Sequence, residues 1–305
     1  MPLLWRESRR ATKKQNKRAD PATKLKKQNR KELLLKPRGL ADSNMKEIRA
    51  SPPVSWFYIR PMNVENPEIS LVIPCYNEEG NLRELVKAIR AAVEPLKISY
   101  EVVITDDCSK DKSWEILKQL AAEDPCIRVQ KFAFNCGESA ASFAGLKAAR
   151  GKYLFTLDAD LQNDPKDLPK FLAALKNFDC VCGTRVKARG EGDNFIRVAS
   201  SRIANAVRNK LSGEQIADAG CTYRAFKREC IENLKFFKGM HRFLPTLFKI
   251  EGHTVTEIEV SNNPRFAGQS NYGVWNRLFA SFYDLLAVRW MKKRMFKYKV
   301  AERIN

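Results

Sequence analysis

The residues YLFTLDADLQNDP, 153 to 165, run from an apolar stretch into Asp158 and Asp160, one residue apart, and on to Asp164 beside a proline. A strand has period two, so the first two carboxylates are expected to leave it on the same side, a few ångströms apart. Like charges that close oppose each other's ionisation unless a cation lies between them. The pair therefore calls for a divalent metal or a positively charged ligand, and hard carboxylate oxygens suit magnesium or manganese. Taken alone, such a triplet is equally well a helix cap or a turn. A second acidic cluster, DDCSKD at 106 to 111, weakens that plainer reading because it too ends a strand-like run.

The elements that must position these groups follow from hydrophobic periodicity. ISLVIP from Ile69 reads as a strand, followed by the turn CYNEEG and a helix whose apolar face holds Leu82, Leu85, Val86, Ile89 and Val93. YEVVITD and DKSWEILKQLAAE repeat the unit, then IRVQKF, an Ala-rich helix from Glu138 to Ala149, and KYLFTLD. Right-handed crossovers place such strands in one mostly parallel α/β sheet, with ligands beyond the carboxyl ends of the strands. Pro74, Tyr76, Asn77 and Glu78, then Asp106 and Asp107, then Asp158 and Asp160 gather on that rim. A nucleotide site is the natural inference. The GxGxxG and GxxxxGK[ST] fingerprints are absent, so a diphosphate would be neutralised by a divalent ion and arginines. Asn135, Gly137 and Glu138 in NCGESAASFAG read either as site residues or as a helix start, and Ala140, Ala141, Ala144 and Gly145 as close packing against the sheet. His241 stands either in the cleft or as a structural residue at the start of the helical GMHRFLPTLFKI; His253 reads as exposed and inert.

Charge is concentrated at the two ends. The chain has 305 residues and a net charge of +20; residues 1 to 38 carry +11 and residues 289 to 305 carry +6, leaving about +3 between them. Such ends suit a polyanionic surface beside a nearly neutral working domain. A nucleic-acid module is disfavoured, since no recognition motif or aromatic platform accompanies the basic arm. Eight cysteines without a CxxC pair, and two histidines, argue against a zinc module and for reduced thiols in a cytoplasmic protein. No run of eighteen uncharged apolar residues is present, so no transmembrane segment is expected. Trp275, Leu278, Phe279, Phe282, Leu285, Leu286, Arg289 and Trp290 form a stripe at helical spacing beside a Lys/Arg cluster, which suits an amphipathic helix lying on an anionic membrane surface; the alternative is a helix packed on the domain or at a dimer contact. The expected organisation is a basic arm and linker over 1–65, a catalytic domain over 66–270 and a membrane-interface segment over 271–305.

The ordered series VIPCYNEEGNL, DDCSKD, NCGESAASFAGLKAARGKYLFTLDADLQNDP, CGTR, DAGCTYRAFKRE, HRFLPTL and PRFAGQSNYG resembles the family-2 glycosyltransferases, in particular those similar to dolichol-phosphate mannose synthases and bacterial polyprenyl-phosphate sugar synthases. The resemblance implies a GT-A nucleotide-sugar-binding fold and an inverting, metal-assisted transfer of a sugar from a GDP- or UDP-sugar to the phosphate of a polyprenyl phosphate. It implies that Pro74, Tyr76, Glu78 and Asp107 hold the nucleoside, that Asp158 and Asp160 hold Mg2+ or Mn2+ on the diphosphate, and that Gln162 lies near the donor sugar. Arg185, Arg224, Arg242 and Arg265 become candidates for the acceptor phosphate and donor diphosphate, with Ser270 beside them. Asn271 stands where the family usually has a lysine, and Cys108 where it commonly has glycine. A phosphate acceptor is already anionic near neutral pH and needs orientation more than a base. A saccharide hydroxyl, the alternative acceptor, would need one, with Asp218 or Asp160 first in line. A nucleotidyltransferase with a similar metal rim is the remaining rival. The expected location is peripheral, on the cytoplasmic face of a membrane, and the oligomeric state is open.

Overall fold

The computed structural model describes residues 65–186, 206, 208–211, 213, 216–264, 266, 274–296 and 300–304, with side chains of the last helix from residue 281 onward. The basic arm up to residue 64, Arg265, Ser270, Asn271 and the side chains of Trp275, Leu278 and Phe279 lie outside the described residues.

Among the described residues, seven strands form one sheet: β1 (Ile69–Cys75), β2 (Tyr100–Asp106), β3 (Ile127–Lys131), β4 (Tyr153–Thr156), β5 (Cys180–Thr184), β6 (Arg224–Lys227) and β7 (Val255–Glu259). Their spatial order is β3-β2-β1-β4-β6-β5-β7. Among the described strands only β6 runs against its neighbours, pairing antiparallel with both β4 and β5. The helices are α1 (Leu82–Val93), α2 (Ser113–Glu123), α3 (Glu138–Ala148), α4 (Leu168–Ala174), α5 (Leu244–Ile250) and α6 (Val274–Arg294). The chain winds outward through β2 and β3, then α3 carries it back across the sheet to β4 on the other side of β1. Strand order thus reverses beside β1, and the loops diverge there to leave a crevice at the carboxyl ends.

Alternation along β1 divides the interior into two cores. Ile69, Leu71, Ile73 and Cys75 face one side, with Leu82, Leu85 and Ile89 of α1, Leu117 of α2 and Phe171 of α4. Val72 faces the other, with Leu146 of α3, Leu154, Phe226, Phe248 of α5, and Leu285 and Val288 of α6. Helix α3 lies very close to the sheet: a Cβ on Gly145 would come within 2.5 Å of Val72 Cγ1. All eight cysteines are free thiols; six are buried, Cys108 is half-buried and Cys136 exposed.

The end of the sheet away from the crevice is held by a buried carboxylate. Glu101 accepts from Ser70 Oγ at 2.7 Å, from the Arg150 backbone N–H, and from Arg128 and Arg150 guanidinium groups at 2.8 and 3.0 Å. Burial raises its pKa, but the hydrogen bonds from Ser70, Arg150 and Arg128 outweigh that and hold it below the usual carboxylate range. The stability contributed is complete above the unfolded-state value of 4.5 and is lost as pH falls toward the lower folded-state value. Glu101→Gln is expected to cost about 3 kcal/mol at neutral pH and to flatten the acid side of the stability curve, as read by urea unfolding at several pH values.

Among the described residues, no helix is long and apolar enough to cross a membrane.

Candidate active site

The first wall of the crevice is the turn after β1. Its register with β2, Cys75 opposite Asp106, brings residues 76–79 beside 107–113. The two turns are laced by backbone-to-side-chain bonds: Asn77 N–H to Ser109 Oγ at 2.9 Å, Lys110 N–H to Asn77 Oδ1 at 2.8 Å, and Glu78 N–H to Ser113 Oγ at 2.8 Å. Asn77 and Cys108 both adopt left-handed backbone, at φ of 56° and 62°. Asparagine tolerates that region; for Cys108, where the family pattern has glycine, the penalty is about 1–2 kcal/mol. The surrounding hydrogen bonds hold the turn despite it. Pro74, Tyr76 and Glu78 are all half-buried on this wall.

Asp107 sits at the seam between this wall and α3. It is 3% exposed, and its carboxylate accepts the backbone N–H groups of Cys136 at 2.6 Å and Gly137 at 2.8 Å together with Asn135 Nδ2 at 2.9 Å. Gly137, with φ of 90°, is the residue on which α3 starts. An aspartate placed there satisfies otherwise orphaned helix donors and complements the positive end of the helix. Asn135 therefore helps fix the start of α3, donating to Asp107 beside the two backbone N–H groups. Asp107→Asn would turn an amide N–H toward N–H donors, so a loss of about 2 kcal/mol in stability, read by urea unfolding, is the expected outcome.

The second wall carries the carboxylate pair. Strand β4 ends at Thr156, so Asp158 and Asp160 occupy the turn beyond it rather than alternate positions of the strand itself. The turn is tight: Leu161 has φ of 62°, and Gln162 N–H donates back to Asp160 Oδ1 at 3.1 Å. Asp160 is 5% exposed. Asp158 accepts from Thr222 Oγ1 at 2.6 Å, and the Thr222 carbonyl accepts from Thr156 Oγ1 at 2.7 Å, which ties the pair to the chain entering β6. Burial raises the Asp158 carboxyl; the Thr222 hydroxyl opposes that, and the Asp160 charge adds to it. A divalent cation between the two carboxylates would remove that penalty. Among the described residues no three His, Cys, Asp or Glu side chains are grouped to hold a metal by themselves. Two carboxylates would leave the remaining coordination positions to oxygens of a bound ligand, as magnesium sites commonly do. The residues present fit such an ion.

Positive charge faces the pair from two strands. Arg224 opens β6 opposite Thr156 of β4 and is 2% exposed; it donates to the carbonyls of His241 and, at 3.3 Å, of Ala219. Arg185 follows β5, is 8% exposed, and grips Asp218 through Nε at 2.9 Å and Nη2 at 3.3 Å. Burial lowers the Arg185 pKa, but the hydrogen bond to Asp218 and the neighbouring charges, Asp158 among them, raise it further and keep the group a cation. Asp218 is itself only 4% exposed.

The remaining sequence candidates divide. His241 Nδ1 lies 2.7 Å from Ser139 Oγ, which also accepts the Gly239 N–H at 2.8 Å, and its Nε2 is 3.5 Å from Glu138. The histidine thus ties the start of α3 to the turn that holds Arg224. Arg242 reaches α6, where it donates to Ser281 Oγ. Gln162 is half-buried, and its carbonyl accepts the Asn263 N–H at 3.0 Å. Thr222, Ser139 and Ser281 were not singled out from the sequence. Thr222 lies inside the DAGCTYR motif, and its one signal was a hydroxyl two residues before Arg224; nothing local marked the other two.

A family model described as Glycosyl transferase family 2 matches residues 70–235. Curated relatives include an undecaprenyl-phosphate 4-deoxy-4-formamido-L-arabinose transferase of Aeromonas hydrophila subsp. hydrophila, 34% identical over 226 residues that cover 73% of this chain and 68% of that protein. A dodecaprenyl-phosphate galacturonate synthase of Rhizobium johnstonii is 34% identical over 230 residues, 74% of this chain and 67% of that one. Among solved structures, glucosyl-3-phosphoglycerate synthase from Mycobacterium tuberculosis, crystallised with Mn2+, UDP and glucosyl-3-phosphoglycerate, superposes with a TM-score of 0.54 at 18% identity, over 74% of this chain and 80% of that one. That likeness is one of fold.

Proposed function

This chain belongs to glycosyl transferase family 2 and has its GT-A fold, and from that premise we propose that it moves a sugar from a nucleotide-sugar donor to the phosphate of a polyprenyl phosphate. The relatives named above act, by name, with undecaprenyl and dodecaprenyl phosphates. The observation that carries the reading on this chain's own residues is the Arg185–Asp218 pair. Asp218, one of the two carboxylates with Asp160 that a hydroxyl acceptor would first call on as a base, is buried with both oxygens bound by a guanidinium, and Asp160 is assigned to the metal. A phosphate acceptor needs no such base.

In this reading the wall of Pro74, Tyr76, Glu78 and Asp107 receives the nucleoside, with Asp107 acting by holding residues 135–137 in place. Asp158 and Asp160 would hold a divalent cation, Mg2+ or Mn2+, which would supply charge withdrawal from the leaving diphosphate. Arg224 and Arg185 set a positive potential beside those carboxylates, and their burial keeps water from screening it. Gln162, on the turn after Asp160, is placed toward the sugar. Arg242, Arg265 and Ser270 complete the set assigned to phosphate groups; for Arg242 this is compatible with its bond to α6, since a guanidinium has donors to share. A single displacement by a phosphate oxygen inverts the anomeric carbon and expels a nucleoside diphosphate. Catalysis is assigned to residues 66–270, with 1–65 a basic arm and 271–305 a basic segment at the membrane surface where the acceptor's phosphate lies. A saccharide hydroxyl as acceptor is the outcome that would replace this reading.

The deciding experiment offers radiolabelled GDP- and UDP-sugars with polyprenyl phosphate and Mg2+ or Mn2+. Label entering the organic phase with release of nucleoside diphosphate is expected; label passing only to added saccharides would overturn the proposal. Asp158→Asn and Asp160→Asn are each expected to lower kcat by about a hundredfold or more, and full turnover of either at limiting metal would remove the metal assignment. The pH profile of transfer should follow the second ionisation of the acceptor phosphate, near pH 6, and keep that midpoint in Asp218→Asn. A midpoint that disappears with Asp218 would make it the base after all.

A further inference from the structure

Over its described side chains, from residue 281 onward, helix α6 packs on the domain by one edge. Leu285 and Val288, 5% and 0% exposed, enter the second core, with Met291 partly buried beside them. Two of its cations are engaged on the protein itself: Arg289 donates to the Leu211 carbonyl at 2.6 Å and Lys292 to the Gly213 carbonyl at 3.1 Å. The stripe expected from the sequence therefore splits, since Leu285 and Arg289 turn inward. What faces outward is a second apolar row: Phe282, Tyr283, Leu286 and Trp290, exposed to 50, 76, 43 and 63%. At 3.6 residues per turn these four lie within an arc of about 100°, and Lys293 falls inside the same arc. Lys293 and Arg294 are exposed, and beyond them stand Met295 and Phe296, the latter 87% exposed.

We infer that this outer row of α6 is a docking face for an anionic lipid leaflet. Residues 289–305 carry a net charge of +6, so an anionic leaflet complements the end of the row, whereas a second copy would bring the same cations against each other. Tyrosine and tryptophan each pair an apolar ring with a polar edge, which suits the headgroup boundary. A helix lying flat there buries one face and keeps the other on its own protein. The inner edge of α6 is joined to the crevice: Ser281 accepts from Arg242, and Asp284 lies against Gly239, where a Cβ would come within 2.3 Å of its Oδ2. Docking by the outer row would set the catalytic turn at the leaflet surface.

The test uses the full chain and vesicles of phosphatidylcholine alone or with about one-third phosphatidylglycerol, with no donor or acceptor present, so it is independent of the reaction proposed above. Flotation should show binding to anionic vesicles only. The variant Phe282→Ser/Tyr283→Ser/Leu286→Ser/Trp290→Ser should bind at least about tenfold more weakly. Transfer to a short-chain prenyl phosphate in detergent should persist in that variant, which separates loss of docking from loss of the catalytic fold. Brominated lipid should quench the tryptophan emission of the wild-type protein, and Trp290→Phe should lose a distinct part of that quenching. Unchanged flotation of the quadruple variant would assign binding to another surface, such as the basic arm, and overturn the inference. Equal binding to neutral and anionic vesicles, or absence of vesicle binding with dimers that the variant abolishes, would overturn it as well.

Discussion

Negative charge held at the carboxyl ends of the strands is the constraint on which the rest of the molecule depends. Asp106, Asp107, Asp160 and Asp218 are all at most 5% exposed, with Asp158 beside them. An unpaired buried carboxylate costs several kcal/mol, so each must be matched by a donor brought from elsewhere in the chain. Asp107 is matched by the start of α3, Asp158 by Thr222, and Asp218 by Arg185. These matches span 29, 64 and 33 residues, so each carboxylate is held by a segment distant in the chain. Asp158 and Asp160 lie close enough for the charge of one to oppose ionisation of the other, with Arg185 and Arg224 acting against that.

That arrangement relates stability to chemistry. Parallel strands deliver their ends to one edge, where backbone hydrogen bonding of the ladder stops and side chains must take over. Antiparallel β6 interrupts the parallel order and puts Arg224 level with Thr156, two residues before Asp158. Without that reversal Arg224 would leave from the other end of the sheet. Charge is then balanced differently at the two ends of the sheet. At the far end Glu101 is fully satisfied by Ser70, Arg128 and Arg150, and the result is structural. At the crevice Asp107, Asp158 and Asp218 are held by backbone N–H groups, a hydroxyl and a guanidinium from three different segments.

Helix α6 shows how one amphipathic pattern can serve two neighbours. Its apolar residues cover more of the circumference than the domain can bury, so the core takes Leu285 and Val288 and leaves Phe282, Tyr283, Leu286 and Trp290 outside. Polar residues of the inner edge, Ser281 and Asp284, meet Arg242 and Gly239. The helix therefore touches both the crevice and the face offered to lipid.

Much of this was legible in the linear order of residues. The βαβ rhythm from Ile69 to Thr156, the apolar face of α1 and the gathering of acidic turns on one rim depend on periodicity and on right-handed crossover, both local rules. The succession of motifs was enough to point to the family. Periodicity could not show that β4 stops at Thr156 and leaves the carboxylate pair in a turn, because strand ends are set by pairing with β1 and β6. Nor could it show that Asp218 is bound by Arg185, that Asp107 is filled by backbone N–H groups, or that Ser139 meets His241 across 102 residues. A sequence records which groups can donate, accept or carry charge, and local spacing decides which side of an element they leave from. Which donor meets which acceptor is decided only when distant segments are packed together, and at this crevice that pairing gives Asp158 a hydroxyl and Asp218 a guanidinium.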